Sequence, residues 1–150
     1  MRELKFRVWD RIGKRFFAPT YKAYKGKLEE LLISLDGKLM LRTPNNLVHE
    51  SVFPNRFISM QYTGFKDKDG KEIYEGDIIE YTSGKWREIV IVKDMVGFAR
   101  FVGGIETSDN LWEDMEPKIV GNVFENPEII EKMQKEAEDI MNRILGGLAR

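Results

Sequence analysis

From Phe57 onward the chain is cut into short apolar segments, and this punctuation limits the fold more than any other feature. "RFISMQYT", "EIYE", "DIIEYT", "WREIVIVKD", "GFARFVGG" and "KIVGNVF" are rich in β-branched and aromatic residues and are divided by Gly or Asp. Such regular, short strands point to a small barrel-like, strongly twisted antiparallel sheet rather than βαβ units. The N-terminus extends the pattern. Leu4, Phe6 and Val8 alternate with Lys5, Arg7 and Trp9, the period-2 signature of a half-buried strand. The aliphatic set is expected to face inward, with Lys5, Arg7 and Trp9 on the open side. Asp10 and Gly13 then offer a turn, and "RFFAP" returns as a second strand.

Two stretches are less regular. Residues 31–42 read as a hairpin around Asp36-Gly37, a type I′ signal. Leu28, Leu31 and Leu32 nevertheless have helical spacing, so 26–36 stays open between strand and helical turn. Residues 43–56 read as a loop, because Pro44 and Pro54 interrupt any regular element.

The chain closes on a helix. Asn126 suits an N-cap, Pro127 the first helical position, and Glu128 and Glu131 the positive end of the helix dipole. Ile130, Met133, Ala137, Ile140 and Ile144 recur at 3-4-3-4 spacing and form a candidate interface, and Gly146-Gly147 is expected to end the element. The fold class is therefore mainly β (α+β): a β-rich, barrel-like domain over 1–126 and one amphipathic helix over 127–145. That helix is packed on the domain or placed at an oligomer interface.

Composition narrows the chemistry. The 150 residues include no cysteine, which removes disulfides, thiolate metal sites and a Cys nucleophile. No apolar run approaches the ~18 residues that span a bilayer, so no membrane contact is expected. The one histidine, His49, has no G-x-S-x-G elbow to serve, although Ser51 and Ser59 are near in sequence. No phosphate-cradling fingerprint appears, and the acids of "EDMEP" and "DKDG" lack ligand spacing. The expectation is a protein without catalytic residues, metal or cofactor.

Charge is unevenly placed. Residues 1–56 carry 12 basic against 6 acidic side chains, whereas residues 57–126 carry 8 against 14. The split either steers a partner or lets the two segments attract each other within one fold. In the first 27 residues nine cations are interleaved with six aromatics. Cations that follow phosphates and rings that stack on bases are what a single-strand surface requires. Lys5, Arg7, Trp9, Arg11, Lys14 and Arg15 are the candidate nucleic-acid contacts.

The densest punctuation is "MQYTGFKDKDGKEIYEGDIIEY", residues 60–81. "DKDG" and "YEGD" are turn signatures in which glycine supplies positive φ. Gly64 is expected to end a strand, and Phe57–Gly64 to pair with Glu72–Tyr81. A calcium loop fails, since from Asp67 the glycine stands at position 4 and Lys71 occupies position 5. Gln61, Tyr62 and Thr63 are the residues here with side chains suited to contact. This stretch, with "RELKFRVWD" and "IVGNVFENPEII", resembles the YopX family of phage and prophage proteins. The resemblance places Gln61, Tyr62, Thr63, Gly64, Asp67, Gly70, Gly76 and Asp77 at signature positions and assigns no catalytic residue. It implies a small β-rich phage protein of the bacterial cytoplasm. The expected function is a non-enzymatic accessory role exerted by binding a protein, with self-association as one form; a nucleic-acid-binding module is the alternative.

Overall fold

The computed structural model describes residues 3–22, 25, 27–83, 86–92 and 116–148. Among the described residues it is mainly β, with antiparallel strands arranged in three sheets and one α-helix, which lies at the C-terminal end. Eleven strands are described: β1 (Phe6–Asp10), β2 (Arg15–Phe16), β3 (Thr20–Lys22), β4 (Lys27–Ile33), β5 (Leu39–Arg42), β6 (Leu47–His49), β7 (Phe57–Lys66), β8 (Glu72–Tyr74), β9 (Asp77–Ser83), β10 (Trp86–Ile91) and β11 (Lys118–Asn122). Helix α1 (Pro127–Leu148) follows. The sheet orders are β2-β1-β7-β8, β10-β9-β11 and β3-β4-β5-β6. The expected strand "GFARFVGG" lies outside the described residues.

The chain divides into two compact units, one built from residues 1–6 and 61–150 and a smaller one from Arg7–Met60. The smaller unit carries ten basic and five acidic side chains, a balance of +5, and the larger unit carries −6.

In the larger unit, β9 is the central strand of its sheet. Ile79 lies opposite Val90 on one side and Ile119 on the other, and a bulge between Ile119 and Gly121 shifts the register. Ile73, Ile79, Tyr81 and Val92 form the buried core, with Phe65 and Ile119 packed against them. The smaller unit buries Trp9, Leu39, Phe57 and Met60. Edge-to-face contacts link Phe17 to Phe57 (5.6 Å), Phe53 to Phe57 (5.3 Å) and Trp9 to Phe16 (5.1 Å).

Two hairpins share one turn. In "SLDGK", the Ser34 N–H donates to the Lys38 carbonyl (2.9 Å) and the Gly37 N–H to the Ser34 carbonyl (2.9 Å). In "DKDGK", the Asp67 N–H donates to the Lys71 carbonyl (2.8 Å) and the Gly70 N–H to the Asp67 carbonyl (2.9 Å). Gly37 and Gly70 both stand at φ 81°, while Asp36 and Asp69 keep negative φ. The hairpin over 31–42 is therefore present, but its turn is of the type I plus glycine-bulge kind. A type I′ turn needs two central residues at positive φ, and here only the residue after them provides it.

Several local expectations change. Residues 27–33 are a strand throughout: Leu28 pairs with Tyr21 and Leu31 with Leu41, and two partner strands outweigh a helical spacing of leucines. The loop over 43–56 contains β6, which pairs with β5, and a 3-10 turn over Glu50–Val52. Pro44 and Pro54 lie outside both elements, so neither removes a ladder donor. Gly64 does not end its strand. At φ 92° it sits between the Tyr62–Tyr74 and Lys66–Glu72 pairs, where the register shifts as at a bulge. Beyond Tyr74 the Gly76 turn sends the chain into β9 and a different sheet.

Replacing Ile79 by Ala should lower unfolding stability by about 3 kcal/mol. Gly70→Ala, strained by its positive φ in open space, should cost only about 1 kcal/mol. Urea midpoints of the two variants check this ranking.

Candidate functional site

Three features have the makings of a site: the basic β1–β2 hairpin with a neighbouring cleft, the signature stretch, and the distal half of α1.

The first strand presents the opposite face from the one expected. Trp9 is buried, whereas Leu4 and Phe6 are exposed. The alternation is real, but one indole outweighs two aliphatic side chains in choosing which face is covered. The cations of that face are then occupied. Arg7 lies 4.4 Å from the Phe16 ring centre and reaches the Met60 sulfur. Lys5 sits over the Tyr62 ring (5.6 Å) and binds Glu72 (2.6 Å) and Glu3 (3.1 Å). These two carboxylates, Glu72 first, hold its ammonium above the ordinary lysine range. Lys5, Arg7 and Trp9 thus leave the open nucleic-acid surface that the alternation suggested.

Arg11, Lys14 and Arg15 remain. All three are exposed, and among the described residues none has a carboxylate within ion-pair distance. The reason is Asp10. It is buried, accepts two bonds from Arg56 (3.2 and 3.1 Å) and takes the Ile12 N–H (3.0 Å). Arg56 first, and the turn N–H groups after it, hold the Asp10 carboxyl below its usual range. With its acid spent internally, the hairpin tip Arg11-Ile12-Gly13-Lys14 is purely cationic, and Ile12 is 74% exposed upon it.

A cleft of about 500 Å³ lies in the same unit, lined among others by Arg11, Lys38, His49, Phe53 and Ser59. His49 and Ser51 are in contact, with Nδ1 3.0 Å from Oγ and also accepting the Ser51 N–H (3.2 Å). That is a local cap on the 3-10 turn. No group of three or more His, Asp or Glu side chains able to hold a metal occurs among the described residues.

The signature stretch belongs to the larger unit, and its polar side chains bind backbone. Thr63 Oγ1 donates to the Ile73 carbonyl (2.8 Å). Asp67 accepts the N–H groups of Asp69 (2.9 Å) and Lys71 (2.8 Å) on one oxygen and of Ile119 (3.3 Å) on the other. Asp77, fully buried, accepts the Tyr74 N–H (2.9 Å). Gly76, at φ 81°, donates its N–H to the Val92 carbonyl and receives the Val123 N–H on its own. Tyr62 is buried against Tyr74 (5.5 Å), and the Gln61 N–H donates to Glu75 (3.1 Å). Of the three residues expected to make contacts, Tyr62 and Thr63 are enclosed and Gln61 is half-buried.

Helix α1 begins at Pro127 as expected, although the Asn126 side-chain oxygen accepts the Asn122 N–H (3.1 Å). A Cβ at Gly121 would collide with this Asn126 side chain, so the pair locks the approach to the helix. The element runs through Gly146-Gly147 to Leu148, because glycine weakens a helix without forbidding it. Its stripe splits in two. Met133 is buried and Ile130 and Ala137 half-buried, while Ile140, Met141, Ile144 and Leu145 are 55–57% exposed. No described helix is long and apolar enough to cross a membrane.

The family model of the YopX protein matches residues 5–131. The chain belongs to the YopX family. Among solved structures it resembles yopX of Bacillus subtilis, with a TM-score of 0.55 and 24% identity over 85% of this chain and 98% of that one. It also resembles protein EF1440 of Enterococcus faecalis, with a TM-score of 0.53 and 24% identity over 86% and 99%. No curated protein matches. Of the residues that the resemblance singles out, Asp67, Gly70, Gly76 and Asp77 stand at turns, and Tyr62, Thr63 and Gly64 lie in β7. The match ends at residue 131, before the exposed part of α1 begins.

Removing the Asp67 carboxylate with Asp67→Ala should cost about 2–3 kcal/mol, because it strands buried N–H donors; thermal unfolding measures it. Asp10→Asn should cost about 2 kcal/mol at neutral pH by leaving Arg56 without its counter-charge. The Asp10 carboxyl is held low, so its contribution is full above the unfolded pKa near 3.8 and fades as pH falls through the lower folded value. The wild-type advantage over Asp10→Asn should therefore shrink below about pH 4 in a melting-temperature series.

Proposed function

We propose that this chain is a non-enzymatic binding protein that works as a homodimer joined through the distal half of α1. A phage or prophage accessory role is the setting that the YopX resemblance implies. The observation that carries the reading is the split stripe. Helical burial ends near Ala137, yet the apolar face continues through Ile140, Met141, Ile144 and Leu145 in the open. A contiguous apolar patch of this kind on a helix is covered by a partner more readily than by water.

Self-complementarity of the patch favours a second copy as that partner. In an antiparallel pair centred at residue 142, Ile140 of each helix lies level with Ile144 of the other, and Met141 and Leu145 widen the same apolar face. A second reading, nucleic-acid contact, is supported by the unpaired Arg11, Lys14 and Arg15 and by the smaller unit's balance of +5.

Sedimentation equilibrium should give twice the monomer mass of 17.5 kDa. Ile140→Asp with Ile144→Asp should yield a folded monomer, since both side chains are already exposed. A wild-type monomer throughout the accessible concentration range overturns the self-association.

A further inference from the structure

We propose that the smaller unit holds a site for one nucleotide, its phosphate on Arg11 and its base against Phe53 in the cleft. The inference rests on the second reading above and narrows it from a charged hairpin to a pocket. The cleft, about 500 Å³, lies within the range of small-molecule sites.

Its electrostatics leave one cation over. Glu50 is the carboxylate of the lining, and both its oxygens are committed: one accepts the Leu39 N–H (2.8 Å), the other faces the Lys38 ammonium (3.4 Å). Asp10, beside Arg11 in the chain, is held by Arg56 (3.1 Å). Arg11 therefore stands at the cleft without a counter-ion. The bond from its N–H to the Arg56 carbonyl (2.9 Å) ties it to the wall that carries Phe53 and Pro54.

The remaining groups complete a phosphate-and-ring pattern. His49 accepts the Ser51 N–H on Nδ1, so the neutral ring carries its proton on Nε2 and can donate from there. The exposed hydroxyl of Ser59 adds a donor, while the Ser51 hydroxyl donates back to His49 Nδ1 (3.0 Å). Phe53 is half-buried, its ring edge-to-face with Phe57, and with Pro54 and Ile58 it gives an apolar wall. A bare anion would use only the donors, and an apolar ligand only the wall. A nucleotide uses both, since a base stacks on an aromatic ring while the phosphate takes the cation. Lys14 and Arg15 continue the same hairpin, so neighbouring phosphates of a strand would meet them in turn.

The test uses the full chain, fluorescence anisotropy with dye-labelled dT10 at low and physiological salt, and competition by AMP or inorganic phosphate. Expected are dT10 binding that weakens with salt and AMP competing better than phosphate. Arg11→Glu and Ser59→Glu, both at exposed positions, should each lower affinity for both ligands about tenfold or more. Lys14→Glu should weaken dT10 alone. If AMP binds as tightly as dT10, the ligand is a free nucleotide; if dT10 is far tighter, it is a residue of a strand. Binding of dT10 that ignores Ser59→Glu overturns the cleft site and leaves the hairpin reading standing. Phosphate competing as well as AMP also overturns the site, and no binding at low salt overturns both. Circular dichroism of each variant confirms that it is folded.

Discussion

Buried carboxylates that accept backbone N–H groups hold the larger unit together. Its strands are short, so each contributes few ladder bonds, and register must be fixed from outside the ladder. Asp67 does this between distant segments. One oxygen closes its own turn at Asp69 and Lys71, and the other reaches Ile119 in β11, fifty-two residues on. The Lys68 N–H adds a bond to the Pro117 carbonyl (2.8 Å). Asp77 performs the same service at the Gly76 turn, through Tyr74. An ionised acceptor satisfies several donors at once, and such bonds are stronger than neutral ones. In the densest polar stretch of the chain, Asp67, Glu75 and Asp77 thus face backbone amides, while Glu72 faces the Lys5 ammonium.

Much of this was legible in the sequence because turn chemistry is local. The "DG" pairs marked both hairpins; β8, β10 and β11 fall within their expected segments, and β9 runs one residue past its own. Legibility stopped where the deciding neighbour is remote. Whether Trp9 or Val8 faces the covered side depends on Phe16 and Met60, and no periodicity within residues 4–9 contains that information. The turn type at Asp36-Gly37 depends on a bond between Ser34 and Lys38, which two residues cannot report. The cleft is the extreme case. Arg11, Lys38, His49 and Ser59 are drawn from four separate stretches, and their one common signal was that His49 and Ser59 had no structural task assigned.

The charge asymmetry acquires a sharper meaning once pairs are named. In the smaller unit Asp10 is taken by Arg56, Glu30 by Arg42 and Glu50 by Lys38. These pairs remove anions and cations in equal number, so the surplus of +5 survives them. What the pairing decides is where the surplus appears. It occupies Asp10, the carboxylate of the β1–β2 hairpin, and leaves three cations within five residues there. A field of this kind attracts a polyanion at long range, and its strength falls with salt.

The helix and the hairpin then bear on each other through valency. A monomer carrying one nucleotide site grips a strand through a few phosphates and one stacked base, which is a weak hold on a flexible ligand. Joining two chains through α1 supplies a second site without any new contact type. The second binding event becomes intramolecular, with a gain set by the effective concentration and by whether one strand spans both sites. A helix that leaves Ile140 and Ile144 in water is costly for a monomer. In the proposed dimer the same residues would let two of the proposed sites act on one strand.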